Sequence, residues 1–104
     1  MRLLAVIALA AGCSSKPAPH PSQTFQVEIR GMQFTPAVVH AHTGDLIVFT
    51  NKDIVPHTVT SAGFFDSGPL APGQVWSLGI TERLDYHYVC TMHPTMHGEL
   101  VVPQ

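Results

Sequence analysis

Charge is scarce in this chain. Of its 104 residues only 12% are Asp, Glu, Lys or Arg, five basic against seven acidic, and the basic residues are scattered singly. A nucleic-acid partner needs a cationic footprint, so that class is excluded. Cysteine is scarcer still: Cys13 and Cys90 are the whole supply, too few for a thiolate-rich zinc site. The longest apolar run, Leu3 to Ala11, falls well short of the roughly 20 residues that cross a bilayer as a helix. Nine prolines and eight glycines break the chain often enough to argue against a helical bundle. What remains is 45% hydrophobic residues, enough to pack one small domain and too many for a disordered chain. Seven histidines are the anomaly.

The amino terminus reads as an address. Arg2 precedes the apolar run, which ends Leu9-Ala10-Ala11-Gly12-Cys13, the pattern of a signal peptide closing on a lipoprotein-type cleavage box. Residues 1–12 are therefore expected to be removed and Cys13 to carry acyl chains, holding the protein at a membrane. Residues 13–23, with prolines at 17, 19 and 21, form a semi-extended tether reaching about 3.1 Å per residue. Residues 24–104 form the folded domain.

From Thr24 the period is two. Phe25, Val27 and Ile29 alternate with polar residues until Gly31, as a half-buried strand requires. Ala37–His42 and Leu46–Asn51 are two further strands around the turn Thr43-Gly44-Asp45. A short strand runs from His57 to Ser61, and Gly63–Gly73 reads as loop. Val75–Ile80, Tyr86–Cys90 and Glu99–Val102 complete the set. Seven or eight short strands without a helical stretch predict an all-β, antiparallel β-sandwich, with Greek-key connections as its usual topology. Met32, Phe34 and Trp76 are expected in the core, and His87, between Tyr86 and Tyr88, on the solvent side.

The chemistry lies in two segments. Cys90-Thr91-Met92-His93-Pro94-Thr95-Met96 offers a thiolate, an imidazole and a thioether on one loop, and His57 stands at the start of another strand. A thiolate, two imidazoles and a weak axial thioether form the donor set of a blue-copper site. Zinc would call for more thiolates or a third imidazole in a tetrahedral array. His40 and His42, two apart on a strand, share a face and could hold an adventitious metal.

At these residues the chain resembles the cupredoxins. Asn51-Lys52-Asp53-Ile54-Val55-Pro56-His57-Thr58-Val59 resembles their first-ligand segment. Phe34-Thr35-Pro36, Gly44-Asp45 and Leu70-Ala71-Pro72-Gly73 resemble their other signatures, in the same order. The short Cys-x2-His-x2-Met loop is similar to that of amicyanins and shorter than that of plastocyanins. The resemblance spans Phe25 to Val102. It implies a Greek-key cupredoxin sandwich and one type 1 copper bound by His57, Cys90 and His93, with Met96 axial. Thr58 stands where the family often has Asn, which alters a side-chain tie between the ligand loops, and Leu84 stands where it has Gly.

The expected function is one-electron shuttling between redox partner proteins by a monomer in the periplasm or at the cell envelope. The second reading is a Cu(I) carrier, supported by Met92, Met96 and His97 around the site. An enzyme is not expected, because one domain with a single Cys in its ligand loop supplies one copper centre. No Lys cluster or acidic patch marks a steering surface, and Pro56, Met92 and Pro94 around the His93 edge are the docking patch that the family implies.

Overall fold

The structure is a computed structural model that describes residues 20–104, so the expected signal segment and Cys13 lie outside the described residues. Among the described residues there are nine short strands and no helix: β1 (Thr24–Arg30), β2 (Gln33–Thr35), β3 (Val38–His40), β4 (Leu46–Asn51), β5 (Thr60–Ser61), β6 (Phe65–Asp66), β7 (Val75–Gly79), β8 (Tyr86–Cys90) and β9 (His93–Val101). They form two sheets, ordered β2-β1-β4-β7 and β3-β9-β8-β5-β6.

Alternation decides what lies between the sheets. Val27 and Ile29 of β1, Ile47 and Phe49 of β4, Tyr88 and Cys90 of β8 and Leu100 of β9 are all fully buried, one residue in two along each strand. Tyr88 sets its ring edge-on to Phe34 and Phe49, at centroid separations of 4.9 and 5.4 Å. Directly across the β8–β9 ladder from Tyr88 stands Gly98, where a Cβ would collide with the tyrosine ring. The glycine is there so that the ring can lie flat over β9.

The sandwich is the expected one, with refinements. Most neighbours are antiparallel, but β1 runs parallel to β4 and β3 parallel to β9, so both sheets are mixed. Residue alternation does not encode strand direction, and for that reason the parallel pairs were invisible in the sequence. The expected loop at 63–73 carries β6. The strand expected over His57–Ser61 is confined to β5, while His57 makes an isolated antiparallel bridge to Leu70. β9 begins at His93, well before Glu99, so the second half of the ligand loop is strand.

Two side-chain expectations are corrected. Met32 is 42% exposed because Gly31 and Met32 are the two central residues of the tight β1–β2 turn, both at φ near +60°, as a primed hairpin turn demands. Trp76 is only half-buried because β7 is an edge strand. His87 is exposed as expected.

Asp45, 2% exposed, closes the end of the sandwich remote from the ligand loop. Its Oδ1 accepts the Gln23 backbone N–H at 2.9 Å and its Oδ2 that of His42 at 2.8 Å. Burial alone would raise its pKa, but the two N–H bonds, helped by the nearby His42 and His20 rings, outweigh it and hold the carboxyl below its ordinary value. A depressed folded-state pKa contributes stability above the unfolded value, and that contribution disappears as pH falls through the folded one. Asp45→Asn should therefore cost about 1–2 kcal/mol at neutral pH, with the gap from the parent closing below about pH 4. Urea unfolding of both proteins from pH 7 to 3 measures it; a gap that stayed constant would refute the charge-based account.

Candidate metal centre

Two chain segments 33 residues apart meet at one end of the sandwich. The first, Asn51 to Thr58, is shaped by the buried Asn51 side chain. Its Nδ2 donates to the carbonyls of Val55 and Leu70, both at 2.9 Å, and its Oδ1 accepts the Asp53 N–H at 2.9 Å. These bonds fold the loop back so that His57 pairs with Leu70, through His57 N–H to Leu70 O at 3.1 Å and Leu70 N–H to His57 O at 2.7 Å. The second segment is the β8–β9 turn, which carries Cys90, His93 and Met96. A register irregularity between Val89 and Cys90 sets Cys90 opposite His93.

The donors converge. Cys90 Sγ lies 3.5 Å from His57 Nδ1 and 3.9 Å from His93 Nδ1, and the three donor atoms all fall within 4.8 Å of one another. Such separations suit one ion about 2.0–2.3 Å from each donor. His57 and Cys90 are fully buried and His93 is half-exposed. Met96, 3% exposed, belongs to the same buried cluster as Cys90. Among the described residues this is the single group of three His, Cys or acidic donors so placed. His40 and His42 are not part of one: His42 stacks instead on His20, with ring centroids 3.8 Å apart.

The surroundings fix the donors' chemistry. The Thr58 backbone N–H points at Cys90 Sγ, 3.3 Å away, and fixes the direction of the sulfur. The tie between ligand loops, expected to be altered by Thr at position 58, is made by the threonine hydroxyl: Thr58 Oγ1 accepts the Thr91 N–H at 2.9 Å and lies 3.1 Å from Thr91 Oγ1. The residue that sequence reasoning missed is Asp53. Its Oδ2 lies 2.8 Å from His57 Nε2, so Nε2 carries the proton and the Nδ1 lone pair is left facing Cys90. The same carboxylate accepts the N–H groups of Gly31 at 2.6 Å and Met32 at 3.0 Å. Burial would raise its pKa, but these N–H bonds and the His57 ring overcome that and lower it, which keeps Asp53 ionised. Its place four residues before His57 was the sole sequence signal, and it carried weight only once the loop geometry was known.

A cysteine sulfur and two imidazoles with a thioether nearby suit copper better than zinc or a hard cation. The family model for the cupredoxin-like domain matches residues 2–102. The chain belongs to the cupredoxin-like family. It is 32% identical to amicyanin-alpha of Methylorubrum extorquens over 94% of this chain and 87% of that protein. It is 35% identical to the amicyanin of Paracoccus denitrificans over 73% of this chain and 63% of that protein. Among solved structures, the Cu(I) form of a methionine-to-alanine mutant of amicyanin superposes with a TM-score of 0.73 at 29% identity, over 76% of this chain and 81% of that one. Cupredoxins are blue copper electron-transfer proteins, and the cofactor is one type 1 copper per chain.

Asp53→Asn removes a negative charge that touches the His57 imidazole, and negative charge beside the copper favours the oxidised ion. The reduction potential should rise, and copper affinity should fall by about 10–100-fold, the usual cost of losing such a partner. Voltammetry and chelator competition read the two effects. An unchanged potential would show that the carboxylate only braces the loop.

Proposed function

We propose that His57, Cys90 and His93 hold the copper, with Met96 as its weak axial donor, and that the protein passes single electrons between redox proteins outside the cytoplasm. The observation that carries this reading is the convergence of one buried Sγ and two imidazole Nδ1 atoms within 4.8 Å. Copper so bound supplies a one-electron couple between Cu(II) and Cu(I). The protein's part is to keep its donors in one arrangement for both states, and the bonds from Asn51, Asp53 and Thr58 do that. Burial of Cys90 and His57 excludes water from the site, while the half-exposed His93 brings one ligand ring to the surface.

The segments that carry His57 and His93 also expose apolar side chains. Ile54 is 92% and Met92 44% exposed, and Pro56 and Pro94 are exposed as well. These exposed apolar side chains fit brief docking of another redox protein, in which a small interface and fast release matter more than affinity. We read the protein as a carrier and not an enzyme, in keeping with its amicyanin relatives. The location we propose, the periplasm or cell envelope with attachment through acylated Cys13, rests on the signal pattern in residues 1–13.

The metal assignment is tested by substitution. Cys90→Ser should abolish the visible thiolate-to-Cu(II) charge-transfer band, and Met96→Leu should retain it and raise the potential, since loss of the axial donor favours Cu(I). A Cys90→Ser protein that stayed blue would overturn the assignment.

The anchor is tested independently. Cys13→Ser should move the protein from the detergent phase to the aqueous phase, with its absorption spectrum unchanged because the tether separates anchor from copper. Identical partitioning of parent and variant would remove the lipid anchor from the reading.

A further inference from the structure

Beside the centre, between β2 and the start of β9, lies a groove of about 320 Å³ lined by Met32, Phe34, Ala37, Met96 and His97 among others. It brings together three soft or borderline donors, Met32, Met96 and His97, of which the centre accounts for Met96 alone. Met32 is the clearest case. An apolar side chain 42% exposed stands on backbone at φ +62°, a conformation that costs a non-glycine residue roughly 1–2 kcal/mol. Asn or Gly would be the ordinary occupant of that turn position. The turn is nevertheless held fast, because the Asp53 carboxylate accepts the N–H of Gly31 and of Met32 at 2.6 and 3.0 Å while also contacting His57. An exposed thioether is thus presented from a backbone tied to the metal centre itself.

His97, also on the groove, is exposed, and Met96 lines the groove although it is only 3% exposed. Met96 belongs to both places: it lines the groove and it is the proposed axial donor. The groove donors are two thioethers and an imidazole, with no thiolate or carboxylate among the residues that line it. Thioethers bind Zn(II), Mg(II) and Ca(II) poorly and Cu(I) well. The nearby negative charge of Asp53 adds attraction for a cation and no selectivity of its own.

We propose that Met32 and His97 form a Cu(I) acquisition site, from which the ion passes by way of the Met96 sulfur into the centre. The proposal rests on the copper reading of that centre and adds the route by which it is filled. No electron moves in the transfer: Cu(I) arrives as the monovalent ion, leaves its donor for the groove, and exchanges thioether ligation for the centre's donors as Cys90 releases its thiol proton to solvent. The alternative way in is the His93 edge, where Met92 offers another exposed thioether, 44% exposed and not part of the groove.

The test uses the copper-free protein and Cu(I) supplied anaerobically as its bicinchoninate complex, with loading followed by loss of that complex's absorbance. Met32→Leu and His97→Ala should each slow loading several-fold, and the double variant further, while all three reach the parent's blue spectrum on oxidation. Met92→Leu should load at the parent's rate. As a second readout, Ag(I), a redox-silent stand-in for Cu(I), added to the copper-loaded reduced protein should shift the Met32 methyl and His97 ring signals in NMR and leave Met92 in place. Parent-like loading of the double variant, or slowing by Met92→Leu alone, would overturn the groove as the route while leaving the copper centre intact. A parent protein that took up no Cu(I), or never turned blue, would overturn both.

Discussion

One carboxylate holds the functional end of this molecule together. Asp53 bonds the β1–β2 turn through two backbone N–H groups and contacts His57 through Nε2, so a single side chain couples the first sheet to a proposed copper ligand that faces Cys90 of the second. Its effect on His57 is electronic as well as mechanical. With the Nε2 proton directed at Asp53, the lone pair that remains is on Nδ1, and it is Nδ1 that stands 3.5 Å from Cys90 Sγ. A neutral partner at position 53 would leave the imidazole free to choose its tautomer. The buried ring would then have no fixed direction in which to present a donor.

The second ligand segment is held by different means. Cys90 ends an inner strand, His93 begins the next one, and the turn between them is bound to the first segment through Thr58, whose N–H reaches the sulfur and whose hydroxyl accepts from Thr91. Asn51 shapes the first loop with three side-chain hydrogen bonds. The donors are therefore positioned by backbone groups and short polar side chains with little rotamer freedom. A site so built need not rearrange when its ion changes charge, because the bonds that set its geometry do not involve the ion.

Much of this was legible in the sequence, and what was missed follows a pattern. Period-two alternation located β1, β4, β7 and β8 closely, since burial between two sheets demands it. The convergence of His57, Cys90 and His93 was legible because thiol, imidazole and thioether within seven residues, with a second imidazole upstream, have few other joint uses. Parallel pairing of β1 with β4 was not legible, because alternation reads the same in both directions. Met32 was misplaced in the core because hydrophobicity alone is blind to a turn that needs two left-handed residues. Asp53 was passed over because an acidic residue in a loop reads as solvated until the loop is seen to fold over the ring it serves.

The core also shows what the site demands of the fold. Tyr88 sits fully buried two residues before Cys90, its hydroxyl without a protein partner among the described residues, and burial drives its pKa well above the ordinary phenol value. Leaving a buried hydroxyl unbonded costs about 1–3 kcal/mol, so the ring must return more than its hydroxyl loses. It does so through edge contacts with Phe34 and Phe49 and by lying over Gly98, the position on β9 where a Cβ would not fit. That close approach draws β9 onto β8 just past Met96 and just before Cys90. The spacing between the strand that ends in the thiolate and the strand that carries the imidazole and the thioether is thus set by an aromatic ring against a bare backbone. The ligand loop hangs from that contact, and its geometry is inherited from the packing of the core.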